Sequence, residues 1–516
     1  MPPTFMKRFL PVSPGLRVAL FVLLLSLAAL LQSRPAKDGD FQEYALMTIA
    51  LANHASPAIG QADLDMADRL SPEPGFVALH RQVRAGMARR ESMPFPGIVR
   101  GLDGGYYAIH FFAYSALAAI PFKVIDAAGG QPFKAYQVVN LAALAILAAA
   151  LFRFTGSSRR TIFAIVFFLF CGGMLYANWA STEFFTGCCL LAGLLFVLLG
   201  RPYLGAVLAG LGAMQNPPLV AFSVFAPVIR ICYLVAQERM TAFAAIRKVA
   251  DRHTVLASIL QSAMALAPFL YNQAVFGMPS PIAAMSTDPG LITGARLLSF
   301  YFDLNQGVIV GLPVVLALVA VQLFAKDGRR WLPHSLAAIL FSIALALPSL
   351  STINWNSGAN GMMRYAFWGG MPLFYLALGW VQRVPRWPVL LLAAMLLVQA
   401  GAIQHARSYV YIELSPAARA MLRLFPGLYA PEPEIFLERV LHLDGAIHQH
   451  TVATYGLPGR PVKSVFDPSS DAAHAALCGP GRRVLLPEGG PRYPNGWRYV
   501  TGKPVCIQAP APQAAR

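Results

Sequence analysis

Apolar stretches close to the ~20 residues that a helix needs to cross a bilayer recur from Leu16 to Gln404, and nothing else in this sequence restricts its fold as strongly. Hydrophobic residues make up 56% of the 516 and charged residues only 13%, with mean hydropathy +0.54, whereas a soluble domain carries about 25% charged residues. No soluble core could absorb that excess. Twelve apolar segments can be drawn, at approximately 17–32, 106–124, 136–154, 161–178, 184–200, 203–215, 217–236, 254–273, 306–325, 332–350, 365–382 and 387–403. The fold class this predicts is an all-α polytopic membrane protein, with a membrane domain over 1–404 and a large first external loop at 34–105.

The basic residues set the topology. Arg159 and Arg160, Arg201, the run from Arg239 to Arg252, Lys326 to Arg330, and Arg383 with Arg386 should all face the cytoplasm under the positive-inside rule. One arrangement places all of them there: 17–32 goes out, 106–124 makes no net crossing and either lies along the interface or re-enters, and the other ten segments alternate. That gives eleven crossings, a cytoplasmic N-terminus and an external C-terminus. The N-terminal Lys7, Arg8 and Arg17 then belong to an uncleaved first helix, since no A-x-A-type site directly follows the apolar run.

The formal charge of +17 would suggest nucleic acid in a soluble chain. Here many Lys and Arg residues sit beside apolar spans, and no basic stretch with interleaved aromatics appears, so no nucleic-acid partner is assigned. After His405 the composition turns to Pro, His, Arg and Asp, which predicts a small extracytoplasmic α/β domain over 405–516. Of the six cysteines, only Cys478 and Cys506 fall there, and a disulfide between them in an oxidising compartment is expected. His448 and His450 lack further ligands and are assigned no metal.

The first external loop opens with Asp38, Asp40, Glu43 and Tyr44. Acidic groups beside a low-dielectric slab are candidates for general-base chemistry, and helical spacing puts Asp40, Glu43 and Tyr44 on one face. The same residues also read as a helix start, with Asp40 as N-cap and Glu43 at N3. The arginines Arg81, Arg84, Arg89, Arg90 and Arg100 of this loop either gather an anionic ligand or form a solvated basic helix.

An acid just past the first span, in a long external loop that begins with an interfacial helix, resembles the GT-C glycosyltransferases, the protein O-mannosyltransferases and lipid A aminoarabinose transferases (bacterial glycosyltransferase family 39-like) among them. The stretch Asp40-Phe41-Gln42-Glu43-Tyr44-Ala45 is similar to their acid-to-Tyr-Ala pattern. Asp103-Gly104-Gly105-Tyr106-Tyr107 followed by His110 resembles the segment where bacterial members carry Lys or His, although Phe111-Phe112 replaces the usual Pro-Pro. Asn178-Trp179-Ala180-Ser181-Thr182-Glu183 is similar to the family's second acidic position, more often Asp. The run from Asn354 to Tyr365 resembles the late external loop whose Arg-Tyr, here Arg364 and Tyr365, opens a helix.

The resemblance implies sugar transfer from a polyprenyl-phosphate donor to a lipid, glycan or protein acceptor at the outer face of a bacterial inner membrane, by a displacement with inversion. Asp40 would be the catalytic carboxylate, and Glu43, Tyr44, His110, Glu183, Arg364 and Tyr365 would contact substrate, with Glu183 orienting either substrate or a divalent metal. Two acids fall short of a metal site, and no cofactor is assigned. Arg364 suits a lipid phosphate and equally a guanidinium that snorkels to headgroups; Glu183 reads equally as an acid favoured at a helix N-terminus. A transporter or flippase of lipid-linked sugars, or a non-catalytic assembly subunit, would also need many spans, but related halves of the kind transporters show are not seen.

Overall fold

The computed structural model describes residues 13–325, 328–355, 358–383, 388–486, 493 and 496–509. Lys7, Arg8, Lys326 and Arg386, named above, and Asn356 and Ser357 within the run from Asn354 to Tyr365 lie outside the described residues. Within hydrocarbon every backbone N–H and C=O must be satisfied inside its own segment, which favours helices, and among the described residues seven helices combine the length and apolarity needed to cross: Pro14–Gln32, Lys134–Thr155, Ser158–Tyr176, Pro217–Glu238, Arg252–Phe276, Gly328–Ser351 and Val389–Ala406. The chain is a multi-pass membrane protein.

The remaining apolar segments are shorter or broken, for identifiable reasons. Glu183–Leu198, Pro202–Ala213 and Pro313–Phe324 are apolar helices below span length. Pro313 separates Val308–Gly311 from its continuation, and the stretch 365–382 is divided between Arg364–Gly369 and Met371–Arg383. Segment 106–124 begins as a strand and continues as a helix of 15 residues, Ala113–Ala127, about 22 Å long at 1.5 Å per residue against ~30 Å of hydrocarbon.

The chain divides into two compact units. The first comprises 1–285, 314–345 and 367–399; the second comprises 286–313, 346–366 and 400–516. The second therefore contains the C-terminal segment expected near 405 together with two stretches that the sequence alone assigns to the membrane part.

In the first unit, helix α1 (Pro14–Gln32) leads to three loop helices, α2 (Phe41–His54), α3 (Gln61–Leu70) and α4 (Pro74–Ala88). A short antiparallel ribbon follows, β1 (Ile98–Arg100) with β2 (Tyr106–Ala108), in register Ile98↔Ala108 and Arg100↔Tyr106. Helices α5 (Ala113–Ala127), α6 (Lys134–Thr155) and α7 (Ser158–Phe168) come next. Helix Glu183–Leu198 is buried along all its residues. It approaches Pro202–Ala213 through facing glycines: a Cβ on Gly193 would lie 2.9 Å from the Gly205 carbonyl, so neither position has room for a larger residue.

α6 is about 33 Å long and defines the two ends of this unit. At its start, Gln137 donates to Ser33 Oγ at 2.8 Å and to Asn178; near its finish, the Phe152 ring lies 3.5 Å from where a Gly15 Cβ would stand. The segment after α1 is anchored at the first of these ends, where Ala36 N–H donates to the Asn178 carbonyl at 2.9 Å.

The second unit is the mixed domain. Strands β3 (Val452–Leu457), β4 (Arg460–Phe466) and β6 (Arg498–Thr501) form an antiparallel sheet in that order, and β5 (Arg482–Val484) pairs with β7 (Cys506–Gln508). Its core gathers Leu414, Leu422, Phe436, Leu437, Val465 and Trp497. Cys478 and Cys506 are joined in a disulfide, with Cα atoms 5.6 Å apart, tying helix Asp471–Cys478 to the second ribbon.

Candidate active site

Asp40 stands at the N-cap of α2, but its side chain makes no capping hydrogen bond. It is turned instead toward His110, whose Nε2 is 3.3 Å from Asp40 Oδ2, while Nδ1 of the same ring bonds the Glu43 carboxylate. The sequence allowed a reciprocal cap in which Asp40 and Glu43 served the backbone; the structure uses both carboxylates on one imidazole. A neutral imidazole has one N–H to donate, so two carboxylate acceptors call for imidazolium. Burial works against that charge, but Glu43 and then Asp40 outweigh it and hold His110 well above the usual histidine range.

His110 reaches this position because β2 ends two residues earlier and the ribbon fixes the chain's exit. Ile109 N–H donates to the Gly97 carbonyl at 2.9 Å, just before β1. Gly97 has φ +97, and a Cβ there would collide with the Glu43 carboxylate. Asp103, from the Gly-Tyr-Tyr segment, accepts from Tyr107 Oη at 2.5 Å and from Gly105 N–H at 2.9 Å. These bonds, the Tyr107 one first, lower its pKa and close the turn of the ribbon.

Tyr44, one turn on from Asp40, has its ring centroid 5.3 Å from that of His110 and 6.2 Å from that of Tyr114. Tyr114 packs on Phe185 at 5.6 Å and lies within electrostatic reach of Glu183. Glu183 is buried in the first turn of its helix, while Asp38 accepts from Trp179 Nε1 at 3.2 Å. Asp40, Glu43, Tyr44, His110 and Glu183 are thus gathered at one end of the first unit. Phe185 also lines an apolar groove of about 580 Å³ between α5, α6 and the helices Glu183–Leu198 and Pro202–Ala213, with Leu117, Pro121, Val139, Cys189 and Leu208 among its other walls.

Several loop residues have roles the sequence did not disclose. His80 of α4 is fully buried, with Nε2 2.9 Å from Gln42 Oε1 and Nδ1 2.7 Å from Asp68, so it ties the helix that carries Asp40 to the rest of the loop. Its signal in sequence is only a histidine on an amphipathic helix. Of the five loop arginines, Arg84 pairs with Asp65 and Asp68 at 2.8 and 2.7 Å and Arg89 with Glu91 at 2.7 Å. Those two are engaged within the loop rather than offered to a ligand.

Arg364 and Tyr365 belong to the second unit. Arg364 is buried, with its guanidinium 5.7 Å from the Tyr365 ring centroid. A snorkelling head would be exposed, so that alternative does not describe it. No group of three or more His, Cys, Asp or Glu among the described residues is arranged to hold a metal ion.

No protein-family model matches the chain, and no curated protein matches it. Among solved structures, ArnT from Cupriavidus metallidurans in the apo state aligns over 83% of this chain and 67% of its own, at 13% identity and a TM-score of 0.41. A likeness at that level carries neither fold nor chemistry from one chain to the other, and the site stands on its own side chains.

Proposed function

We propose that this protein is a membrane glycosyltransferase that moves a sugar from a polyprenyl-phosphate donor to an acceptor at the outer membrane face. The observation that supports this most is the release of Asp40 from helix capping into a charged cluster with Glu43 and His110, beside an apolar groove. In this reading the isoprenoid tail lies along the groove. The acceptor O–H or N–H attacks the anomeric carbon as the phosphate departs, and Asp40 receives the proton. His110 holds Asp40 and Glu43 in place and keeps the local charge at minus one rather than minus two. Glu183, buried at the same end, orients the acceptor. The GT-C resemblance of the motifs around these residues supports the same assignment.

The test is Asp40→Asn, which keeps shape and removes charge. Turnover of a polyprenyl-phosphate sugar should fall by ~10² to 10⁴ with only a modest drop in melting temperature, because no cap bond is lost and His110 keeps Glu43 as its partner. Wild-type turnover in that variant would overturn the assignment of Asp40, whereas a wild type without turnover that carries a labelled lipid-linked sugar across proteoliposomes would overturn the enzyme reading in favour of a flippase.

A further inference from the structure

The other end of the first unit holds a polar cavity of about 630 Å³, and its lining contains Arg160, Arg239, Arg330 and Arg383 but no Asp or Glu. These come from four separate parts of the chain, which the positive-inside reading places at the cytoplasmic face. Topology alone asks only that they lie on that side; it does not ask that they face one cavity. Arg160 and Arg330 each make a single contact at 3.4 Å, to the backbone carbonyls of Gln382 and Gln237. Neither these two nor Arg239 has an ion pair among the described residues. The neighbouring acid, Glu238, is taken up by Lys248 at 3.0 Å. Arg239 also sits in the left-handed region at φ 56, a conformation that a residue other than glycine adopts at some cost.

The wall behind the arginines is built rather than solvated. The Arg383 guanidinium stacks 3.7 Å from the centroid of the Trp331 ring, which is buried. His334 lines the same cavity at 3% exposure; its Nε2 is 2.8 Å from Tyr375 Oη, and its Nδ1 is buried with no partner among the described residues. With the tyrosine hydroxyl donating to Nε2, Nδ1 carries the proton and is a donor. The lining thus holds four guanidinia and one imidazole and no carboxylate, a donor set suited to the anionic oxygens of a phosphate group, which planar guanidinium recognises in pairs.

We propose that this cavity binds a phosphate group, carried either by an anionic lipid headgroup or by a free phosphate compound from the cytoplasm. The proposal is independent of the transferase reading, since it uses none of its residues. The full chain, purified in neutral detergent, is offered phosphatidylglycerol and phosphatidylcholine and the retained lipid counted by native mass spectrometry. In parallel, lipid-free protein at low salt is melted with and without inorganic pyrophosphate. Wild type should retain phosphatidylglycerol over phosphatidylcholine or gain melting temperature with pyrophosphate, and the Arg160→Gln/Arg330→Gln double variant should lose either effect at least tenfold. Arg252→Gln, exposed at the same end but outside the cavity, should behave as wild type. Retention of lipid without a pyrophosphate shift assigns the headgroup; a pyrophosphate shift assigns a free phosphate. Should the double variant fail to fold, Arg160→Gln and Arg330→Gln singly carry the comparison. Binding of both ligands unchanged by these exchanges, or lost equally in Arg252→Gln, would overturn the site and leave the arginines a topological role alone.

Discussion

At the residue scale, the bridged imidazole makes the site sensitive to alkali rather than to mild acid. The folded pKa of His110 is raised above its unfolded value of ~6.5. Its contribution to stability is therefore fully present below that unfolded value and is lost as pH rises through the folded one. Melting temperature and turnover of the wild type should both decline along that alkaline limb, and His110→Gln should lack the decline. Parallel limbs in the two proteins would show that His110 is not the group responsible. Gly97 gives a second test, because it combines positive φ with a side-chain collision against Glu43. Gly129 has φ +70 with nothing within 4 Å of a Cβ, so Gly129→Ala has the backbone strain without the collision. Gly97→Ala should lower turnover by about 10² while Gly129→Ala melts similarly and stays active; equal activity in the two would mean that the Glu43 position does not matter. Asp40, Glu43 and Tyr44 were legible in sequence because one helical face is a matter of spacing. Gly97 and His80 were not, since their roles are set by partners 54 and 38 positions away, which no local period encodes.

At the scale of elements, the segments that join the second unit are held by one buried cation. Arg296, in helix Gly294–Phe302, donates through Nη1 to the carbonyls of Leu350 and Thr352, each at 2.8 Å, and contacts Glu432 and Glu434 at 3.2 Å. Its guanidinium also lies 4.8 Å from the centroid of the Trp355 ring. The stretches 286–313 and 346–366 are thereby fastened to the helix Pro433–Leu441. Arg296→Met should destabilise this unit by roughly 3–5 kcal/mol, because two buried carboxylates lose their guanidinium partner. Limited proteolysis checks it: cleavage within 286–313 or 346–366 should appear at temperatures where the wild type resists, and an unchanged digestion pattern would refute the anchoring role. Sequence reading assigned these stretches to the loops and ends of apolar segments because hydropathy reports whether a residue avoids water, not which neighbour it packs against. For the same reason the breaks at Pro313 and Gly370 were merged into continuous spans, whereas the disulfide between Cys478 and Cys506, the two cysteines outside the apolar segments, was expected and is present.

At the scale of the whole molecule, the charge pattern and the first unit's architecture make one joint statement about orientation. Arg160 follows α6 directly, and Asp40, Glu43, His110 and Glu183 lie at the opposite end, about 33 Å away along that helix. If the basic end faces the cytoplasm, the acidic site opens outward, where the proposed lipid-linked donor would meet its acceptor. Single cysteines read this directly in a Cys232→Ser background: Gln61→Cys in α3 and Arg159→Cys in α7 both replace exposed residues, half-buried Cys232 is removed, and Cys171, Cys188 and Cys189 are buried and give little background. An impermeant maleimide should label Gln61→Cys on intact cells and Arg159→Cys only after permeabilisation. The native Cys478–Cys506 pair should stay unlabelled from outside until reductant is added, as a bond kept by an oxidising compartment requires. The inverse labelling pattern would turn the acidic site toward the cytoplasm and the arginine cavity outward. The outer-face location of the transferase site and the cytoplasmic source of the phosphate would then both be wrong, because each depends on which end of the same helix bundle faces which water, while the residues forming each site would be unaffected.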